Sequence, residues 1–131
     1  VDIRKHFGTN QKAEEAGTWV DIGQGARIRV ARNTNTRYRE KLRDILRPYR
    51  GAISANALDD KTSHALLAKA FAGTVLLDWQ GIEEDGKPLA YTIEDAERLL
   101  RDAPEFYRSV ESFASDVGLF RDQSESAEQK N

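Results

Sequence analysis

Cysteine is absent from the 131 residues, which excludes a disulfide framework, a thiolate metal site and a cysteine nucleophile. Histidine is nearly absent. His6 and His64 are the only two, too few for a structural zinc site or a His-rich catalytic centre. No apolar run approaches the ~18 residues of a membrane span. The opening stretch Val1-Asp2-Ile3-Arg4-Lys5-His6 lacks the apolar segment of a signal peptide. A soluble, cytoplasmic protein without a membrane partner is therefore expected. What is present is 39% hydrophobic and 32% charged residues, enough for one modest core burying roughly two-thirds of the unfolded chain's surface.

The net charge of −2 conceals an asymmetry. Between Arg27 and Arg50 nine basic residues face Glu40 and Asp44, a balance of +7 that leaves −9 for the rest. Such a molecule has two electrostatic faces, which steer association with charged partners. Screening confines that field to roughly 8 Å at physiological salt.

Residues 1–16 read as a polar arm. Ile3 and Phe7 lie four apart, and Thr9 or Asn10 caps a short turn closed by Gly17. The globular domain is expected over 17–118. It opens with a hairpin over 18–31: Trp19-Val20-Asp21-Ile22, the turn Gly23-Gln24-Gly25, then Ala26, Ile28 and Val30 alternating with Arg27 and Arg29. A two-stranded hairpin is marginal alone and needs a surface to lie on. Helices over 36–49, 60–79, 93–102 and 104–117 are expected to supply it.

The first helix follows the caps Asn33-Thr34-Asn35-Thr36 and carries Tyr38, Leu42, Ile45, Leu46 and Tyr49 on one stripe. Pro48 and Gly51 end it. Asp59 and Asp60 cap the second, which is apolar nearly all round from Thr62 to Trp79 and reads as the buried central rod. Phe71 and Leu77 belong to its core, and Gly73 within it permits a close approach by a neighbour. Asp85-Gly86 predicts a second, short hairpin. Thr92 caps the third helix and Pro104 opens the fourth. Residues 119–131 read as a disordered polar tail. The fold class expected is thus mainly α with minor β.

Candidate chemistry is sparse. His64 reads as an ordinary helix-start histidine, because a metal needs three or four ligands. Glu83-Glu84-Asp85-Gly86 lacks the alternating ligands of a calcium loop and reads as a solvated turn. Gly23-Gln24-Gly25 precedes a strand, whereas phosphate-cradling loops follow one. The serines have no nucleophile-elbow context. No catalytic residue, metal or cofactor is expected, and the chain is not read as an enzyme.

The basic stripe is the feature with functional content. Arg39, Arg43, Arg47 and Arg50 fall off the apolar stripe of the first helix and make its exposed face basic. They are the candidate partner-binding residues. A solvated face, a dock for an acidic or helical protein, and a nucleic-acid surface are the three readings. Nucleic acid ranks last, because the pI is only 5.7.

Certain phrases carry a resemblance. They are Gly17-Thr18-Trp19-Val20-Asp21-Ile22, Ala31-Arg32-Asn33-Thr34-Asn35, Leu46-Arg47-Pro48-Tyr49, and above all Val75-Leu76-Leu77-Asp78-Trp79-Gln80-Gly81-Ile82 followed by Asp85-Gly86-Lys87-Pro88-Leu89-Ala90-Tyr91-Thr92. In these the chain resembles the tail assembly chaperones of long-tailed, siphovirus-type bacteriophages and prophages over 17–118. The resemblance implies a non-enzymatic assembly factor in the host cytoplasm. Its partners would be the tape measure protein, the major tail tube protein and a longer, frameshifted form of itself. Alternatives are a structural tail or head-completion protein of the virion, or a small nucleic-acid-binding regulatory module.

Overall fold

Short polar caps start most helices of this chain, and glycines at positive φ turn or end several of its elements. The computed structural model describes residues 1–121, so of the expected tail over 119–131 residues 122–131 lie outside the described residues, while Leu119 and Phe120 close a 3-10 turn in which Phe120 is fully buried. Asp2 caps α1 (Ile3–Phe7) and Asn10 caps α2 (Gln11–Ala16), each through a side-chain oxygen on the free N–H groups of the first turn. Gly17, at φ +86°, ends α2 and feeds β1 (Thr18–Gly23). Gln24 and Gly25 both take positive φ, the two-residue turn whose twist matches the flanking strands, and β2 (Ala26–Val30) returns antiparallel.

Asn35 is a buried junction. Its Oδ1 accepts the Tyr38 N–H at 2.9 Å to cap α3 (Thr36–Leu46), while its Nδ2 donates to the carbonyls of Arg32 and Thr74 at 2.6 and 2.9 Å. Contrary to the expectation from sequence, Pro48 and Gly51 do not end the helical path. Placed in the first turn of a 3-10 segment (Arg47–Tyr49), where its missing N–H costs nothing, Pro48 bends the path into α4 (Arg50–Ser54).

The central expectation fails at Gly73. α5 (Asp60–Phe71) is followed by a left-handed turn at Gly73, φ +79°, and Leu76–Gln80 form strand β3. β3 pairs antiparallel with β2, with Ile28 opposite Trp79 and Arg29 opposite Asp78. The sheet order is β1-β2-β3. The protein is therefore α+β, and neither the mainly-α class nor the continuous 60–79 helix holds. Two causes act together. Glycine takes the left-handed conformation without the Cβ clash that any other residue meets, and β2 offers an open edge to which a short, largely apolar run hydrogen-bonds along one side. Leu77 is consequently half-buried on a strand rather than central to a rod.

Gly73 does take the close approach that sequence suggested. A Cβ there would lie 3.0 Å from Ile93 Cδ1. After β3, Asp85 and Gly86 turn β4 (Glu83–Glu84) into β5 (Lys87–Pro88), the expected small hairpin. Thr92 caps α6 (Ile93–Asp102), Pro104 opens α7 (Pro104–Ser115), and a 3-10 turn (Val117–Phe120) follows.

The inner face of the sheet, Ile28 and Val30, packs on Phe71, Leu76, Leu100 and Val110. His64 sits on α5 with Nε2 3.0 Å from the Leu100 carbonyl of α6, and its ring meets Tyr107 of α7 edge-on at 5.1 Å. It joins three helices. Asp59 caps α5, and hydrogen bonds from Thr62, the side chain first and then the N–H at 2.6 Å, hold its carboxyl below the ordinary carboxylate range. A depressed folded pKa stabilises above the unfolded value, and that contribution disappears as pH falls through the folded one. Comparing Asp59→Asn with wild type in urea titrations should therefore show a gap at neutral pH that closes below about pH 4.

Candidate functional surfaces

The basic segment divides once the chain is folded. Its strand half is engaged internally. Arg27 lies 4.5 Å over the Trp19 ring and donates from Nε to Gln80 at 2.8 Å. Arg29 is 5.9 Å from the same ring, and Arg32 lies 5.7 Å over the buried Phe120. Arg29 Nε, with Arg32 Nε and Nη1, is buried without a hydrogen-bond partner among the described residues. Arg37 donates to the Glu15 carbonyl. Lys41 donates from Nζ to the Ala72 carbonyl at 2.7 Å, closing the C-terminal end of α5, and burial pulls its pKa down.

The helical half stays open. Arg39 and Arg43 on α3, Arg47 in the 3-10 turn and Arg50 at the start of α4 are all exposed. Four-residue steps of about 40° each keep the first three on one side of the helix. Arg47 reaches Asp44 at 2.9 Å, a pair more than 60% exposed on both sides and hence weak. The other three have no ion pair among the described residues. Tyr38 and Tyr49 do not join this row. Tyr38 packs edge-on against Phe71 at 5.2 Å, and burial followed by the Glu111 charge raises its pKa; Tyr49 is half-buried.

Two hollows have no signature in the sequence, the first because it joins elements distant along the chain and the second because it forms only once residues 79–90 leave the helical path. One, about 450 Å³, lies between α3 and α5, with Ile45, Pro48, Tyr49 and Leu66 flanked by Lys41 and Lys69. The other, about 460 Å³, is lined by Trp79, Ile82, Pro88 and Leu89, with Glu83 beside them. Behind the second lies a clasp. Trp79 Nε1 donates to the Leu89 carbonyl at 2.7 Å and its ring meets Tyr91 at 4.9 Å. The Tyr91 hydroxyl donates to the Leu76 carbonyl at 2.6 Å and accepts the Gly73 N–H at 3.1 Å. Burial leads the upward shift of its pKa.

Among the described residues no three His, Cys, Asp or Glu side chains gather where a metal could sit, and no helix is long and apolar enough to cross a membrane. The fold and surfaces define a small α+β domain presenting an arginine row and two apolar hollows. Residues 33–131 match the family model described as YdaY prophage protein. The chain belongs to this family and is a phage or prophage protein. The match begins at Asn33, so the β1–β2 hairpin precedes it. No curated protein and no solved structure matches the chain.

Proposed function

We propose that this prophage protein is a tail assembly chaperone. It binds the tape measure protein, keeps it soluble before the tube forms around it and helps recruit the major tail tube protein. It acts in the host cytoplasm and makes or breaks no bonds. The observation that carries this reading is the arginine row Arg39, Arg43, Arg47 and Arg50, exposed on a folded domain and mostly free of internal partners. The phrases that resemble the chaperones, Val75 to Ile82 and Asp85 to Thr92, are also those that build the Trp79–Tyr91 clasp.

A row of separated cations suits an extended client carrying acidic residues along its length. Each contact is weak, but neighbouring sites on one client raise the effective concentration for the next. The same logic accommodates a longer, frameshifted form of the chain working beside the short one.

The test is co-expression with the tape measure protein of the same prophage, followed by capture. Wild type should retain the client in the soluble fraction. Arg39→Glu/Arg43→Glu/Arg47→Glu should leave the melting temperature unchanged, since these side chains are exposed, and weaken capture by roughly tenfold or more through like-charge repulsion. Equal capture by both proteins would remove the row from the binding surface. No capture by wild type would end the chaperone reading.

A further inference from the structure

One element lies on the surface along its whole length. No residue of α1 is buried, and Ile3 and Phe7 are 64% and 65% exposed. Four positions apart on a helix, they share one face, and Arg4 and Lys5 lie between them. α1 is a short, basic, amphipathic segment whose apolar face is left uncovered by the described residues.

Charge chooses among the places it could go. The hollow between α3 and α5 sets Lys41 and Lys69 against Asp44, which Arg47 already pairs, and a third, smaller one sets Arg29 and Arg37 against Glu15, so both keep a net positive lining. Both repel a basic helix. The hollow of Trp79, Ile82, Pro88 and Leu89 has the opposite rim. Glu84 is taken up by Arg98, at 2.6 and 3.0 Å, and lies opposite Lys87 in the hairpin register. Glu83 and Asp85 remain exposed, with no ion pair among the described residues. At about 460 Å³ this hollow falls within the size range of ligand pockets.

We infer that α1 of one copy docks into the Trp79–Leu89 hollow of a second copy. Phe7 and Ile3 enter the apolar walls, and Arg4 and Lys5 face Glu83 and Asp85. The two surfaces differ, so the contact is head-to-tail and propagates to rings or open chains instead of stopping at a two-fold dimer. It uses none of the arginine row and does not depend on the chaperone reading.

Sedimentation velocity of the full chain over a rising concentration series decides the matter. Wild type should gain mass with concentration. Phe7→Asp, and separately Glu83→Lys/Asp85→Asn, should sediment as monomers with at least tenfold weaker association; asparagine keeps the left-handed turn at 85. Mixed together, the two variants should form a one-to-one heterodimer, because the first retains the hollow and the second retains α1. A synthetic peptide of residues 1–8 should move the Trp79 indole resonance of wild type and leave that of Glu83→Lys/Asp85→Asn in place. A wild type that stays monomeric throughout, a Phe7→Asp that associates as wild type does, or a mixture that yields no heterodimer would each overturn the inference.

Discussion

Phe71→Ala should lower stability by about 3–5 kcal/mol, moving the thermal midpoint down by roughly 10 to 20 °C. Phe71 is the last residue of α5 and only 2% exposed. Its ring meets Tyr38 of α3 edge-on at 5.2 Å and Tyr107 of α7 at 4.7 Å. Truncation therefore opens a void walled by three helices and removes two aromatic contacts, each worth about 0.5–1.5 kcal/mol beyond its area. The surrounding rings are held elsewhere. Tyr107 also packs on His64, which in turn meets the Leu100 carbonyl, so the void cannot close by collapse. Phe71→Leu keeps most of the volume and should lose less than half as much. Differential scanning calorimetry on the two variants checks both size and order, and an unshifted midpoint for Phe71→Ala would contradict the packing described.

Gly81→Ala should be nearly as damaging, although the residue is exposed and adds only a methyl group. Gly81 leaves β3 at φ +75°, where an L side chain costs about 1–3 kcal/mol. A Cβ there would also stand 2.5 Å from the Gly25 carbonyl oxygen and 3.0 Å from the Ala26 Cα. Both obstacles are backbone of the β1–β2 turn and cannot rotate away. The β2–β3 register must open at its Arg27–Gln80 end to admit the methyl group, for a total on the order of 3 kcal/mol. Gly86→Ala is the control: it shares the positive φ, at +76°, but nothing lies within 4 Å of its Cβ. The difference between the two variants' urea midpoints isolates the clash from the conformational penalty.

These residues also show what a sequence discloses. The caps at Asn10, Asn35, Asp59 and Thr92 were legible because a cap is a side chain bonding to backbone two or three positions away. The turns at Gln24-Gly25 and Asp85-Gly86 are local in the same sense. Val75 to Trp79 was not. Three apolar residues, Val75-Leu76-Leu77, followed by Asp78 and Trp79 carry no period that separates a buried helix from a strand, and what settles it is β2, about fifty residues earlier. The arginine row was readable because exposure follows from helical spacing alone. The hollow of Trp79 and Leu89 was not, since it exists only after β3 has left the helical path.

The placement of β2 between its two neighbours has a consequence for how the protein is made. Its first partner, β1, lies one tight turn away, so the hairpin can close as soon as residue 30 leaves the ribosome. Its second partner lies beyond α3, α4 and α5. Closing that long interval carries a loop-entropy cost which local helices must first shorten. Until α6 and α7 are synthesised, the apolar face of Ile28 and Val30 lacks Leu100 and Val110, and a ribosome paused before them leaves that face open to solvent.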